Sequence, residues 1–283
     1  MKIKPYINII RPINCLFAML STFIGFWYLK DPLPFEYLNS IIFAGLTTFF
    51  IAAAGNTIND YYDYEIDCLN KPDRVLPKGD IPVEKAKSYS FILLIIGLVF
   101  SIYTENTLCI IIAVINSLLL FVYAAYLKKR LIIGNLIVAI TTASTFLFGA
   151  IISDNIRNLL PLIIFSAIYT LIREWVKVIE DHEGDLKQGV RSISTVFGQH
   201  VAVNYILYAV ISLIILIIYY YYLGFYNIIK LILILKFGVL PIISFYIMLR
   251  KSVEKGNTAR IQKYMKLNMV VLVLIYIGYG VII

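Results

Sequence analysis

Long apolar runs, separated by short polar stretches, recur along almost the whole chain. Several of them reach the roughly 20 residues that a helix needs to cross a bilayer. Only 15% of the residues are charged, whereas a soluble protein carries about 25%. The runs are continuous and lack the alternation of transmembrane strands. The sequence therefore predicts an all-α, polytopic membrane protein.

Nine membrane-spanning helices are predicted, arranged around a central cavity that cytoplasmic loops cap. Helix ends are the least certain part of such an assignment. The predicted spans are Ile13–Leu29, Leu38–Tyr61, Tyr89–Tyr103, Leu108–Leu127, Ile132–Ser153, Leu159–Ile179, Val201–Leu223, Ile228–Leu249 and Met265–Ile283.

The basic residues indicate how the chain crosses the membrane. Of the 25 Lys and Arg residues, 21 fall in loops that nine crossings place on one side. Because basic loops stay in the cytoplasm, the N-terminus and these loops are predicted inside, and the C-terminus outside. The net charge of +8 is thereby explained by the bilayer, with no nucleic-acid partner. The sequence carries no signal for an oligomeric state.

The first acidic segment, Asn59–Asp67, begins where the second predicted span ends. Asn59, Asp63 and Asp67 recur every four residues, so a helix places them in one stripe. Asp60 lies beside that stripe. Acidic residues in register at the end of a membrane span rarely lack a function, although a solvated helix end is the alternative interpretation.

The second acidic segment, Asp181–Asp185, follows the sixth predicted span. If the helix continues, Glu174 lies on the same face, and Lys177 lies one turn before Asp181. An ordinary polar loop is the alternative. The two segments predict one domain, 1–283, of two pseudo-repeated halves, about 1–130 and 131–250, plus a ninth helix. Each half would supply one acidic segment to a shared cavity.

Carboxylates gathered at a membrane surface repel each other unless cations neutralise them. Hard oxygen ligands suit Mg²⁺, which commonly bridges one or two protein carboxylates to substrate phosphates. Basic residues are equally abundant here and are candidates for binding substrate phosphate, although each alone is also explained by the positive-inside rule. The candidates are Arg11, Arg74, Lys78, Lys128, Lys129 and Lys177.

This combination of residues favours chemistry on an isoprenoid diphosphate. Metal ions would neutralise the diphosphate as its carbon–oxygen bond breaks, and apolar and aromatic walls would shield the allylic cation. A nucleophile from a second substrate would then capture it. Glu174 is the candidate base for that nucleophile, with an ion pair to Lys177 or Lys128 as its alternative role.

The paired segments resemble the UbiA-type intramembrane prenyltransferase superfamily, and the resemblance covers essentially the whole chain. It rests on the two acidic segments in their spans and on Arg11-Pro12-x-Asn14 at the start of the first span. The resemblance implies that Mg²⁺ and the diphosphate are held by Asn59, Asp63, Asp67, Asp181 and Asp185. The predicted catalytic residues are therefore Asp63 and Asp181, together with the candidate base Glu174.

Within the superfamily, the stretches NDYYDYEID and NKPDRVLPKG most resemble the archaeal digeranylgeranylglyceryl phosphate synthases. That resemblance implies transfer of a geranylgeranyl group from geranylgeranyl diphosphate to the free hydroxyl of geranylgeranylglyceryl phosphate. Val178 departs from the acidic residue expected there. An acceptor that carries its own phosphate also accounts for the many cations near the first segment.

Three other functions compete with this one. A quinone-ring precursor or haem would be the acceptor in other members of the superfamily, and the cation-rich 70–79 stretch argues against them. A CDP-alcohol phosphotransferase requires an Ala-Arg before Gly-x3-Asp-x3-Asp, which the chain lacks. An ion-coupled transporter predicts polar residues near mid-membrane on several spans, whereas the acidic residues here cluster at one face.

Overall fold

The structure, a computed structural model, describes residues 3–27, 35–128, 130–187 and 189–280. In these ranges the chain is helical, and the only β-type pairing is an isolated bridge between Arg130 and Arg191. The helices are α1 (Ile3–Ile9), α2 (Pro12–Trp27), α3 (Leu38–Tyr62), α4 (Tyr64–Asn70), α5 (Val83–Ile102), α6 (Thr107–Val122), α7 (Ile133–Ile152), α8 (Ile156–Glu180), α9 (His182–Lys187), α10 (Ile193–Phe197), α11 (Gln199–Tyr222), α12 (Ile228–Ile234), α13 (Leu240–Lys251) and α14 (Lys255–Gly280).

The all-α prediction is confirmed, whereas the number of nine spans stays a prediction. Within the described residues, seven helical stretches are long and apolar enough to cross a membrane. The bent pair α1 and α2 raises the number to eight. The predicted ninth span, Met265–Ile283, overlaps α14, which begins ten residues earlier among charged side chains. Residues 281–283 lie outside the described residues.

Two predicted loops are more helical than expected. Helix α5 begins at Val83, six residues before the predicted start of the third span. The polar stretch after α8 contains α9 and α10 rather than a long loop. Ser192 caps α10, where its hydroxyl accepts from the Thr195 backbone N–H. Such caps satisfy orphan N–H groups at a helix start.

The chain divides into two compact units, Met1–Lys128 with Ser144–Ile156, and Lys129–Ala143 with Arg157–Ile283. In the first unit α3 packs against α2, α5 and α6. Two glycines let α2 and α7 approach backbone to backbone. A Cβ on Gly25 would lie 2.1 Å from the Phe146 carbonyl oxygen, and one on Gly149 would lie 2.0 Å from that of Thr22. Small residues permit the close helix contacts that drive association in lipid.

In the second unit, a buried tyrosine connects α8 to α14. The Tyr169 hydroxyl lies 3.0 Å from the Met265 carbonyl oxygen and 2.9 Å from Asn268 Oδ1. The Asn268 amide in turn donates to the Phe237 carbonyl over 2.6 Å. Phe237 belongs to a π-helical turn, Leu235–Val239, between α12 and α13. Lipid supplies no hydrogen bonds. Where the backbone of a membrane helix is irregular, side chains such as Asn268 therefore bind the freed backbone groups.

Candidate functional site

The first acidic segment keeps its helical register across a one-residue break. Helix α3 ends at Tyr62 and α4 begins at Tyr64. The backbone N–H of Asp63 still donates to the Asn59 carbonyl over 3.0 Å, and that of Asp67 donates to the Asp63 carbonyl over 2.7 Å. The predicted stripe therefore exists, with Asp63 at 6% and Asp67 at 3% exposure.

Asn59 and Asp63 together hold a cation. The Lys128 ammonium forms an ion pair with Asp63 Oδ2 and lies 3.4 Å from Asn59 Oδ1. The Asn59 amide donates to Asp63 Oδ2 over 2.8 Å, which fixes the orientation of both side chains. Lys128 directly follows a π-helical turn, Tyr123–Leu127, at the end of α6. Two oxygens one helical turn apart thus form a binding place for positive charge.

A second ionic network extends along the same segment. Arg74 Nη1 lies 2.5 Å from Asp67 Oδ2 and 3.3 Å from Asp60 Oδ1. The Arg11 guanidinium pairs with the same oxygen of Asp60. Asp60 is as deeply buried as Asp63, at 6% exposure. Two arginines therefore share the Asp60 carboxylate, and Arg74 links it to Asp67.

Arg11 reaches Asp60 from a break in the chain. Helices α1 and α2 are inclined at 53° to each other, and Arg11 between them has a φ of 53°. A left-handed backbone is disfavoured for any residue other than glycine by about 1–2 kcal/mol. Pro12 follows, and a residue before proline is disfavoured in the right-handed helical region. The chain therefore turns at Arg11 instead of running on as one helix.

The second acidic segment repeats the local geometry of the first. Helix α8 ends at Glu180, Asp181 forms a turn, and α9 begins at His182. The N–H of Asp181 donates to Lys177 and that of Asp185 to Asp181, each over 2.9 Å. Asp181 and Asp185 are only half-buried. The predicted continuation of the helix is thus correct for the register, with a break at Asp181.

Side chains that follow in sequence satisfy the last turn of α8. The Ser194 hydroxyl donates to the Val178 carbonyl over 2.9 Å, and the Gln199 amide donates to the Ile179 carbonyl over 3.1 Å. Carbonyls in the last turn of a helix otherwise lack partners. The stretch after the second acidic segment therefore folds back and fixes where α8 ends.

Glu174 is buried within α8 at 5% exposure. Its Oε1 lies 3.6 Å from Arg173 Nη2, so the structure identifies Arg173 as an ion-pair partner that the sequence did not predict. Lys177, one turn further on, is exposed. Two buried ring nitrogens near the segment, Trp175 Nε1 and His182 Nδ1, have no hydrogen-bond partner among the described residues. Buried polar atoms are normally paired, so these two nitrogens are exceptions to that rule.

Of the remaining predicted cations, Lys78 is the one that the structure describes in the first unit. Lys78 is half exposed, and its ammonium lies 3.4 Å from Oδ1 of the exposed Asp73. Ion pairs of this kind contribute little to stability. Lys129, also predicted to bind phosphate, lies outside the described residues.

Mg²⁺ fits the oxygen donors that the first acidic segment presents. Within the described residues, no three Asp, Glu, His or Cys side chains form a complete metal cage. Mg²⁺ in phosphate chemistry takes one or two carboxylates and completes its shell with substrate phosphate and water. The Lys128 ammonium against Asp63 and Asn59 shows that these oxygens accommodate positive charge.

Two residues near this site were not assigned a role from the sequence. The sequence marked Asp60 only as a neighbour of the stripe and Asn56 only as the residue where the polar stretch begins. The Asn56 amide donates to the Ile10 carbonyl at the break between α1 and α2, over 2.9 Å. Both are polar residues within an apolar helix, which is costly in a membrane and is the signal that identifies them.

These features are those of a membrane-embedded enzyme for phosphorylated lipids, and the chain belongs to the UbiA prenyltransferase family. The family model matches residues 18–270. Asn56, the first acidic segment and Asp181 all fall within the matched range, whereas Arg11 precedes it.

Two relatives cover nearly all of the chain. It is 37% identical over 273 residues to the digeranylgeranylglyceryl phosphate synthase of Methanosphaera stadtmanae. The alignment covers 95% of this chain and 96% of the relative. It is also 37% identical over 276 residues to the enzyme of that name from Methanocaldococcus jannaschii, with 98% and 96% covered.

Solved structures share the fold. A structure described as a digeranylgeranylglyceryl phosphate synthase in membranes superposes with a TM-score of 0.81 at 35% identity, and 99% of each chain is covered. A UbiA homologue from Archaeoglobus fulgidus bound to DMAPP and Mg²⁺ gives a TM-score of 0.78 at 19% identity, with 97% of each chain covered. At 19% identity, the similarity to the Archaeoglobus fulgidus structure shows a shared fold and no more. The chain is a prenyltransferase of a multi-pass membrane family.

Proposed function

We propose that the protein transfers a geranylgeranyl group from geranylgeranyl diphosphate to the free hydroxyl of geranylgeranylglyceryl phosphate, with Mg²⁺ as cofactor. The product is the diether digeranylgeranylglyceryl phosphate. The observation that carries this proposal is the first acidic segment, where buried carboxylates and an amide already hold basic side chains. Two relatives named digeranylgeranylglyceryl phosphate synthase align with more than nine-tenths of the chain, which supports the choice of substrates.

The first acidic segment would hold the metal and the diphosphate. Asn59, Asp63 and Asp67 supply oxygens along one helix face, and Asp181 and Asp185 supply the second set. Bound Mg²⁺ would supply positive charge that stabilises the departing diphosphate.

Basic side chains around these carboxylates would bind the substrate phosphates. Lys128 and Arg74, now paired with Asp63 and Asp67, would turn from the carboxylates to phosphate oxygens when the metal takes their place. Guanidinium groups match phosphate geometry through paired N–H donors. Arg11 is suited to the phosphate of the acceptor, with Lys78, Lys129 and Lys177 as further contacts.

The transfer itself breaks one carbon–oxygen bond and forms another. The bond between the allylic carbon and the diphosphate oxygen breaks, and the diphosphate leaves with the electron pair. The acceptor hydroxyl oxygen then bonds to that carbon. Its proton passes to the carboxylate of Glu174, which lies buried within α8. The apolar surroundings keep water from capturing the allylic carbon first.

We also propose how the chain is oriented in the membrane. Nine crossings place the N-terminus and both acidic segments on the cytoplasmic side and the C-terminus outside, because 21 of the 25 basic residues then face inward. Polar substrates synthesised in the cytoplasm would reach the acidic segments directly, while their prenyl tails remain in the bilayer.

A transfer assay on the purified protein in detergent tests the function. The assay supplies geranylgeranyl diphosphate and Mg²⁺ with either geranylgeranylglyceryl phosphate or 4-hydroxybenzoate, with and without EDTA. We expect metal-dependent diether formation and no prenylated benzoate. Prenylation of 4-hydroxybenzoate alone would overturn the acceptor and leave the family activity. An untouched diphosphate under every condition would overturn the proposed reaction.

A further inference from the structure

Asn56 connects the break between α1 and α2 to the first acidic segment. The break leaves the Ile10 carbonyl without a partner in a helix. The Asn56 amide donates to this carbonyl over 2.9 Å, and the Cys15 thiol donates to it over 3.0 Å. Ile10 and Cys15 are buried at 9% and 0% exposure. Water therefore has little access to this carbonyl and could hardly replace these two hydrogen bonds.

The backbone on either side of Arg11 is fixed as well. Its own N–H donates to the Asn8 carbonyl over 3.1 Å, and its carbonyl accepts from the N–H of Asn14 over 2.9 Å. The peptide that precedes Arg11 is held as well, because the Asn56 amide donates to its carbonyl, that of Ile10. Because the φ of Arg11 lies in the left-handed region, the turn persists only while such contacts hold it.

Asn56 and Asp60 act on the two ends of the same arginine. They are four residues apart on α3, so they lie one above the other on the same helix face. Asn56 binds the backbone before Arg11, whereas Asp60 binds its guanidinium. A displaced Arg11 would also leave Arg74 as the remaining cation on Asp60. Arg74 contacts Asp67 as well, so the effect would extend to the acidic stripe.

We propose that Asn56 is a positioning residue that sets the place of the Arg11 guanidinium for the phosphate of the acceptor. This inference rests on the proposed function, in which Arg11 contacts that phosphate. Asn56 acts through Arg11 and touches no substrate itself. Its contribution is a hydrogen bond to a backbone carbonyl, which an apolar side chain of similar size cannot make.

The test compares steady-state kinetics of Asn56→Leu, Arg11→Gln and the double variant with those of the wild type. Asn56→Leu is expected to raise KM for geranylgeranylglyceryl phosphate about tenfold, since a small misplacement of a binding group is costly. Its kcat and its KM for geranylgeranyl diphosphate should change far less. In the double variant, Asn56→Leu should add nothing to the effect of Arg11→Gln, because residues that act through one another are not additive.

Two further variants separate positioning from general damage to the fold. Asn56→Gln keeps an amide donor and is expected to recover part of the acceptor KM. Thr47→Val serves as the matched control, since the Thr47 hydroxyl donates only within α3, to the Phe43 carbonyl. It should leave both KM values unchanged.

Each outcome decides the inference. If Asn56→Leu raises the acceptor KM as strongly in the Arg11→Gln background as in the wild type, Asn56 does not act through Arg11 and the inference fails. If kcat falls while both KM values stay constant, the positioning role is wrong. If Arg11→Gln itself leaves the acceptor KM unchanged, this inference fails while diether formation by the wild type still supports the proposed function.

Discussion

The two acidic segments share a backbone geometry but differ in their surroundings. In both, a helix breaks for one residue at the first aspartate of an Asp-x3-Asp pair, while the backbone hydrogen bonds run through the break. Asp63 and Asp67 are almost fully buried and paired with Lys128 and Arg74. Asp181 and Asp185 are half-exposed. The same local arrangement is therefore more deeply buried in the first segment than in the second.

This difference follows from the cost of burying charge. A buried carboxylate is tolerated when it is paired and hydrogen-bonded. In the first segment the pairs also hold the loop after α4 and the break before α2 against α3. In the second segment the end of α8 is fixed by neutral donors, Ser194 and Gln199. Its aspartates are more exposed to solvent than those of the first segment.

The largest effect is expected for Asp67→Asn. It removes a proposed metal ligand and leaves the Arg74 guanidinium with a weaker partner. Activity should fall by at least about 100-fold, the range seen when a group that binds developing charge is removed. The free energy of unfolding should fall by about 1–3 kcal/mol, measured by thermal denaturation in detergent. The matched control is Asp73→Asn, in which the carboxylate is exposed, and a comparable loss of stability there would contradict this account.

Asp185→Asn should separate activity from stability. We expect a fall in activity of about 10–100-fold, as for other metal-site ligands and their supports. The free energy of unfolding should fall less than it does for Asp67→Asn, because Asp185 is half-exposed. Glu183→Gln, on the exposed side of α9, controls for the lost charge. A destabilisation as large as that of Asp67→Asn would remove the contrast between the segments.

Glu174→Gln tests whether the buried carboxylate of α8 accepts the proton of the acceptor. A general base contributes about 100-fold or more in favourable cases. The expected fall in kcat is smaller, about tenfold, because the allylic carbon is already reactive. Both KM values should stay near those of the wild type in initial-rate measurements. An unchanged kcat would assign Glu174 a structural role with Arg173.

The smallest effect is expected for Lys78→Gln. Lys78 is half exposed and pairs with an exposed aspartate, so water screens its charge strongly. We expect KM for the anionic substrates to rise by no more than about threefold, whereas Lys128→Gln should raise KM about tenfold because its ammonium lies against buried oxygens. Equal effects in initial-rate assays would show that burial is not what distinguishes these two cations.

The sequence predicts the helices and the register of both acidic segments because these depend on local spacing. It does not predict which cation binds which carboxylate. The Arg11–Asp60 and Lys128–Asp63 pairs join residues 49 and 65 positions apart, so they exist only once the helices pack. The one-residue breaks at Asp63 and Asp181 likewise leave the spacing unchanged, and spacing alone cannot reveal them.

The boundaries of the last predicted span differ from the structure for a related reason. Hydropathy identifies apolar stretches, but α14 carries basic residues through its first half and continues as one helix. Asn56 was overlooked because a lone amide in an apolar run has no motif to mark it. Its partner, the Ile10 carbonyl, is a backbone group 46 residues away, which no side-chain pattern identifies.

The dependence of diether formation on Mg²⁺ concentration tests the central claim most directly. The comparison is between the wild type, Asp63→Asn and the exposed control Asp73→Asn, at saturating concentrations of both prenyl substrates. We predict that Asp63→Asn loses activity or requires at least about tenfold more Mg²⁺, since removing a ligand or its support weakens metal binding by that order. Asp73→Asn should match the wild type. An Asp63→Asn variant with the activity and the Mg²⁺ dependence of the wild type would contradict the account.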